Sequence, residues 1–229
     1  MISQLFNVSK RVLLSRTTRM LALVVGAGLF LGTNLGFGCT SSSGGGDPGV
    51  ISVPLEYRAS DNDRPPIINI PNRNQVKVLV SAADKRDEAE RNSLGFNRQD
   101  RNEIPVRVGG SAAVPDFVTK VTKAEVRDAT LGTTDDMAQC THMLNIDVIT
   151  FNVLEDNMFN AEVRLEARLI DPTSKELWRG SGSGTSKTFG RSKNPENYQQ
   201  VLSNATKAAV DQILSDPGLK AALSGGEAK

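Results

Sequence analysis

Between Ala161 and Leu169 the chain alternates without a break: Ala161, Val163, Leu165, Ala167 and Leu169 fall on one side, Glu162, Arg164, Glu166 and Arg168 on the other. A period of two places successive side chains on opposite faces of a strand, so this segment has one buried and one wet face. A parallel strand buried on both faces would read as a continuous apolar run. The pattern therefore predicts an antiparallel sheet whose outer charges pair across strands. A second strand precedes it within 143–153, where Leu144, Ile146 and Val148 alternate with Asn145, Asp147 and Ile149 before the phase blurs, and Asn157 helps make the turn. Asp171-Pro172-Thr173-Ser174 turns the chain into a third strand, Glu176 to Ser186.

Upstream, Val76, Val78 and Val80 share one face of an expected strand. The stretch from Asp84 to Arg101 mixes both charge signs, contains Gly95 and reads as a solvated connection. Ile104 to Val108 reads as a further strand, which Pro105 confines to an edge or a bulge. A helix follows Gly109-Gly110: Pro115 suits the first turn, Asp116 opposes the positive helix end, and Phe117, Val118, Val121 and Ala124 line one side. Gly132 is its expected stop. Asn194-Pro195 opens the last major helix, along which Tyr198, Val201, Leu202, Ala205, Ala208, Ala209, Gln212 and Ile213 follow helical spacing. Asp216-Pro217 ends it, and 217–223 adds a short helix.

These elements predict an α+β domain over 75–224, a mostly antiparallel sheet with two main helices packed on one face. A signal peptide (1–38) and a lipidated, flexible tether (39–74) precede it, and 225–229 form a tail. Within the tether, Ile51 to Tyr57 is extended in character and suits an added edge strand.

The N-terminus carries the clearest functional signal. Lys10, Arg11, Arg16 and Arg19 precede an apolar run from Met20 to Leu35, the order of charge then hydrocarbon of an export signal. Gly26, Gly28, Gly32 and Asn34 interrupt the run, leaving it short against the ~20 apolar residues of a spanning helix. It ends Leu35-Gly36-Phe37-Gly38-Cys39, followed by Thr40, three serines and three glycines. Small residues directly before a cysteine resemble the bacterial lipobox, which implies cleavage before Cys39 and acylation of its sulfur, palmitate included. The lipobox leucine three places before the cysteine is here Gly36. The competing readings are an uncleaved anchor and an ordinary signal peptide with an accidental cysteine. Thr40 stands where lipoproteins retained at the inner membrane often carry aspartate, which implies sorting to the outer membrane.

Charge excludes one class of partner. Without the four basic residues before Cys39, 23 basic face 26 acidic residues with no basic stripe, unlike a nucleic-acid-binding surface. Cys140 has no partner once Cys39 is acylated, and reads as a buried small hydrophobe. His142, two residues on, would share its side of a strand, the one arrangement here that resembles a nucleophile with its base. No orienting motif accompanies it, so no catalytic residue is assigned. One histidine and one free thiol do not make a zinc set, and Asp84, Asp87, Glu88, Asp135 and Asp136 lack calcium-loop spacing, so no metal or cofactor is assigned and these carboxylates read as solvated. Gly180-Ser181-Gly182-Ser183-Gly184 looks like a phosphate cradle, but it sits in a strand pattern with no following helix or Lys-Ser pair. A bulge or close approach of the preceding helix is the reading adopted. Trp178 is expected in the core or under a helix, with an interface anchor as the other reading.

Val76 to Val80, a loop with Asp84-Lys85-Arg86, then a helix, two amphipathic strands, a Gly-bearing strand and a terminal helix with Asn204-Ala205 and Ile213-Leu214-Ser215-Asp216 resemble the YajG-like family of bacterial outer-membrane lipoproteins, over roughly 76–223. The long linker before Val76 and the Gly/Ser content near Gly180 depart from it. The resemblance implies an envelope lipoprotein with no catalytic set. The expected function is a non-enzymatic binding or accessory module, held by lipid at the periplasmic face of the outer membrane and facing an envelope protein partner. The alternative is an accessory subunit of an envelope lipid or glycan transport system, which an apolar groove of acyl-chain length would mark. A wall-modifying enzyme would instead need a cleft joining Cys140, His142 and an acid.

Overall fold

The computed structural model describes residues 49–58, 66–99 and 103–225; the expected signal peptide, Cys39 and residues 226–229 of the expected tail lie outside the described residues. The fold is α+β, an eight-stranded mixed sheet with helices packed on one side. The strands are β1 (Ile51–Pro54), β2 (Lys77–Asp84), β3 (Ser93–Asn97), β4 (Ile104–Gly109), β5 (Gly132–Thr133), β6 (His142–Glu155), β7 (Phe159–Ile170) and β8 (Glu176–Thr188). The helices are α1 (Val114–Asp128), α2 (Pro195–Ser215) and the short α3 (Pro217–Leu223).

The two longest ladders, β6 with β7 and β7 with β8, are antiparallel, as the alternation predicts. On β7 every second residue from Phe159 to Leu169 is buried, with Phe159, Val163, Leu165 and Leu169 each adding about 1.5–3 kcal/mol relative to exposure. The blurred phase of β6 has a concrete cause. Val148 pairs with Leu165 but Thr150 with Arg164, so Ile149 is an extra, bulged residue. Before it Leu144, Ile146 and Val148 face the core, and after it Phe151, Val153 and Glu155 do. The bulge shifts the inward set from even to odd positions and keeps both halves of the strand buried.

Along its other edge β6 takes two parallel partners in succession: β2 from His142 to Val148, and β3 from Val153 to Glu155. β4 pairs antiparallel to β3, and β1 adds in parallel to β4 at the far edge. The sequence reading of 84–101 as a solvated connection is corrected here, since β3 lies inside it with Leu94 and Asn97 fully buried. Gly95, at φ 127°, sits so close to β6 that an added Cβ would lie 1.9 Å from the Val153 carbonyl oxygen. Charges on both sides of a five-residue strand hid it. In the stretch before Val76, Ile51, Val53, Leu55, Ile68 and Ile70 are buried in the common core, so the packed unit reaches back to β1.

α1 begins where expected, with the Asp116 carboxylate accepting from the Ala113 N–H at 3.4 Å. It stops before Gly132. Thr130 takes φ 72°, the Leu131 N–H closes on the Val126 carbonyl at 3.1 Å, and Leu131 turns into the core. A left-handed residue after the last turn is the usual helix stop, here supplied by threonine. Gly132 instead opens β5 beside β2. α2 starts at Asn194, whose side chain accepts from the Glu196 N–H, and its stripe from Tyr198 to Leu214 covers the sheet.

Gly182 and Gly184 explain how closely. A Cβ on Gly182 would meet the Ala209 carbonyl oxygen at 2.0 Å, and one on Gly184 the Ala205 carbonyl oxygen at 2.0 Å. The glycines thus mark a close helix approach, but by α2, which follows β8, rather than by the preceding helix. Small residues face small residues, and backbone lies against backbone. Gly184→Val should therefore unfold the protein more readily, by about 3 kcal/mol, because overpacking here meets main chain that cannot yield; urea denaturation should show a lower midpoint, with Ser183→Ala, on the outer side of β8, close to wild type.

Candidate functional site

Between the end of β2 and the start of β3 the edge of β6 lacks a strand, and Arg86 occupies the gap. Its Nε and Nη2 bind the Asp84 carboxylate at 2.9 and 2.7 Å, Nη2 also donates to the Arg91 carbonyl at 3.0 Å, and Nη1 donates to the carbonyls of Ser93 at 3.0 Å and Phe151 at 3.1 Å. The guanidinium also lies 5.8 Å above the Phe151 ring. All five N–H donors are used in a fixed planar fork, which lysine could not reproduce. The Arg86 and Asp84 side chains are only 4% and 8% exposed. The reading of Asp84 as a solvated carboxylate is thus corrected: it neutralises a buried cation. Its role is structural.

The other acids are local. Asp135 pairs with Lys123, and Asp136 accepts from the Ala138 N–H at 2.9 Å and the Gln139 amide at 3.0 Å. Asp87 and Glu88 are exposed. Among the described residues no group of His, Cys, Asp and Glu is arranged to hold a metal.

Cys140 and His142 are not brought into a catalytic pair. Cys140 lies just before β6, buried, with its Sγ 3.2 Å from the Met137 carbonyl and 3.8 Å from the Met137 Sδ. His142 opens β6 with its Nδ1 bonded to Thr141 Oγ1 at 2.9 Å, and burial lowers its pKa despite the opposing pull of Asp171. The thiol meets a thioether and a carbonyl rather than a base. Trp178 is 7% exposed, as expected for a core position, and its indole N–H donates to Asp216 Oδ1 at 3.1 Å. Asp216 thereby ties β8 to the α2–α3 corner, also accepting from the Gly218 N–H at 2.7 Å.

Two buried polar clusters escape sequence reading. In one, Glu155 of β6 accepts from the Tyr198 hydroxyl, the Asn97 amide and, at 3.3 Å, the Lys193 N–H. Burial, then donation to Glu155, raises the Tyr198 pKa. In the other, the Tyr57 hydroxyl donates to Glu125 of α1, whose second oxygen lies 3.3 Å from the Lys207 ammonium of α2, and Lys207 also pairs with Asp211. Gln199 donates to the Glu56 carbonyl at 2.9 Å, so the segment after β1 is strapped to both helices. The available signals were Glu125 at the inward spacing from Val118 and Val121, and Lys207 four residues before Asp211.

Burial raises the Tyr57 and Glu125 pKa values, while for Lys207 the lowering effect of burial is outweighed by Asp211 and Glu125, so its ammonium is also raised. A raised tyrosine or lysine contributes stability below its unfolded value and loses it as pH rises through the folded one. A raised glutamate likewise contributes at low pH and fades as pH climbs through its folded value. All three signs agree. Stability should fall as pH rises beyond the ordinary tyrosine and lysine values of 10.0 and 10.5, and Tyr57→Phe should flatten that fall in unfolding titrations. Arg86→Ala should cost about 3–5 kcal/mol, and more than Asp84→Ala, because it leaves a buried carboxylate and three carbonyls unpaired at once; paired urea titrations give the order.

Among the clefts on the described surface, two flank the Asp84–Arg86 pair. One, of about 540 Å³, lies by the start of α1 and is lined by Asp84, Arg91, Asn92, Val108 and residues 110–115. The other, of about 400 Å³, lies over the β6 bulge beside Arg86, Glu90, Phe96 and Asn152. Both walls mix polar and apolar groups, and neither is an apolar groove. Among the described residues no helix is long and apolar enough to cross a membrane.

No protein-family model matches the chain, and no curated protein matches it. Solved structures with a similar chain path include a Xanthomonas campestris protein of the DUF330 family, at 15% identity and TM-score 0.46 over 71% of this chain and 94% of that one. They also include the PelC dodecamer from Paraburkholderia phytofirmans, at 14% identity and TM-score 0.40 over 64% of this chain and 91% of that one. A lipoprotein from Neisseria meningitidis matches at 14% identity and TM-score 0.32, over 62% of this chain and 99% of that one. The neighbours thus include bacterial lipoproteins, at a level of likeness too low to carry any role across to this chain.

Proposed function

We propose that the protein is a lipoprotein of the bacterial envelope, cut before Cys39, acylated there, and held at the periplasmic face of the outer membrane as a non-enzymatic binding or accessory module. The observation that carries this reading is the order of basic residues, interrupted apolar run and Gly36-Phe37-Gly38-Cys39, followed by a Ser/Gly stretch. Each buried methylene contributes ~0.8 kcal/mol, so two or three acyl chains anchor the protein where a single chain would exchange. Kinship with the YajG-like family belongs to the same proposal and rests on the order of elements from Val76 to Leu223.

A binding role rather than catalysis is supported by the placement of the chain's one histidine. His142 is bonded to a threonine and Cys140 to Met137, so each is engaged by a partner other than the other. Anchoring raises the local concentration of a binding module near envelope partners and strengthens a contact that would be weak in solution.

In the native host, Cys39→Ala should leave the precursor at its full mass and abolish incorporation of radiolabelled palmitate. Wild-type protein should yield a mature N-terminus at acylated Cys39 by mass spectrometry. Palmitate uptake by the Cys39→Ala protein, or a mature terminus retaining Met20 to Leu35, would overturn the assignment.

A further inference from the structure

The two ends of the sheet expose different kinds of apolar side chain, the aromatic Phe96 and Phe189 at one and the aliphatic Ile67 and Met137 at the other. At one end β6 finishes, β7 begins and β8 finishes, through the pairings Glu155 with Phe159 and Phe159 with Thr188. β3 also finishes there and β4 begins, with Asn97 paired to both Glu155 and Ile104. β1 runs parallel to β4, Ile51 pairing with Val106, so the chain coming from Cys39 joins the sheet at this same end.

On the outer face, away from the helices, the last row across the sheet is Pro105, Phe96, Leu154, Asn160 and Lys187, each paired to the next. Phe96 is 40% exposed and Leu154 half-buried. Just past the end of β8, Phe189 is 77% exposed, flanked by exposed Lys187 and Arg191. A largely exposed phenylalanine beside two cations is the residue set of an interfacial contact, with ring in the acyl boundary and charge at the headgroups. About 12 residues separate Cys39 from Ile51, a span of at most ~40 Å when extended, so acyl chains on Cys39 hold this end within reach of the bilayer.

We infer that this end of the sheet, led by Phe189 and Phe96, is a second membrane contact that rests on the lipid surface and fixes the orientation of the domain. The inference rests on acylation at Cys39. It assigns direction as well as attachment: the wet outer face stands across the membrane surface, and Gly225, beyond α3 at the other end of the sheet beside Gln75 and His142, points away from it. The exposed side chain of Met137, in the loop that leads into β6 at that other end, provides an internal control.

The test uses acylated full-length mature protein from the native host, reconstituted into phosphatidylethanolamine/phosphatidylglycerol vesicles with or without brominated acyl chains. Trp178 is the only native tryptophan and is buried, so Phe189→Trp and Met137→Trp each add one reporting fluorophore. Emission added by Phe189→Trp should shift to the blue and fall about twofold on brominated lipid, as expected for a ring ~5–10 Å into the interface, whereas that added by Met137→Trp should not change. If the protein floats with the vesicles but Phe189→Trp emission is unquenched, or if both positions are quenched alike, the contact is disproved while anchoring stands. If acyl-bearing protein is not recovered and nothing floats, anchoring itself fails and the contact with it.

Discussion

A sheet whose longest strand changes partners halfway along one edge has an exposed length of backbone to satisfy, and Arg86 is how this fold does so. The guanidinium caps the carbonyl of Phe151 in the gap, joins it to those of Ser93 and Arg91 on the incoming chain, and balances its charge on Asp84. On the far side of the gap β3 pairs with β6 and carries β4 and β1, and the fork ties the chain entering β3 to the end of β2. The bulge at Ile149 lies opposite the same gap, so the strand bends where its partner changes.

Two other devices press the layers together. Gly182 and Gly184 let α2 lie directly on β8, and T-shaped ring pairs, Phe117 with Phe151 at 5.8 Å and Phe159 with Tyr198 at 4.8 Å, fill the wider spaces beneath α1 and the start of α2. The cluster around Glu125 joins α1, α2 and the strap after β1, and that around Glu155 joins β6, β3 and the start of α2. Hydrogen-bonded groups there set the relative placement of elements that apolar contacts alone would let slide.

How much of this could be read from the chain depended on the range of the cause. β7 and α2 follow from local period, and β8 from the turn at 171–174; each is where the sequence reading places it. The blur in β6 was visible but its meaning was not, because a bulge is defined by the partner strand. β3 was hidden since its five residues sit among charges, and Arg86 looked solvated because nothing local announces that its acceptors are carbonyls up to 65 residues away. The parallel joins of β2 and β3 to β6 leave no local pattern at all. At the site level, the pairing of Cys140 with His142 depended on both being in a strand, and β6 starts two residues too late for Cys140. The clusters of Tyr57, Glu125 and Lys207 required three distant segments to meet, so only the helical spacing of their members was legible.

The outermost strand carries one more consequence. A long terminal strand leaves a row of unpaired main-chain groups that a neighbouring molecule can extend. On β8, Gln212 reaches round from α2 and takes the Ser183 N–H at 2.8 Å, midway along that row. A foreign strand aligning there would have to displace the glutamine before it could propagate, so the template this edge offers is interrupted at its middle.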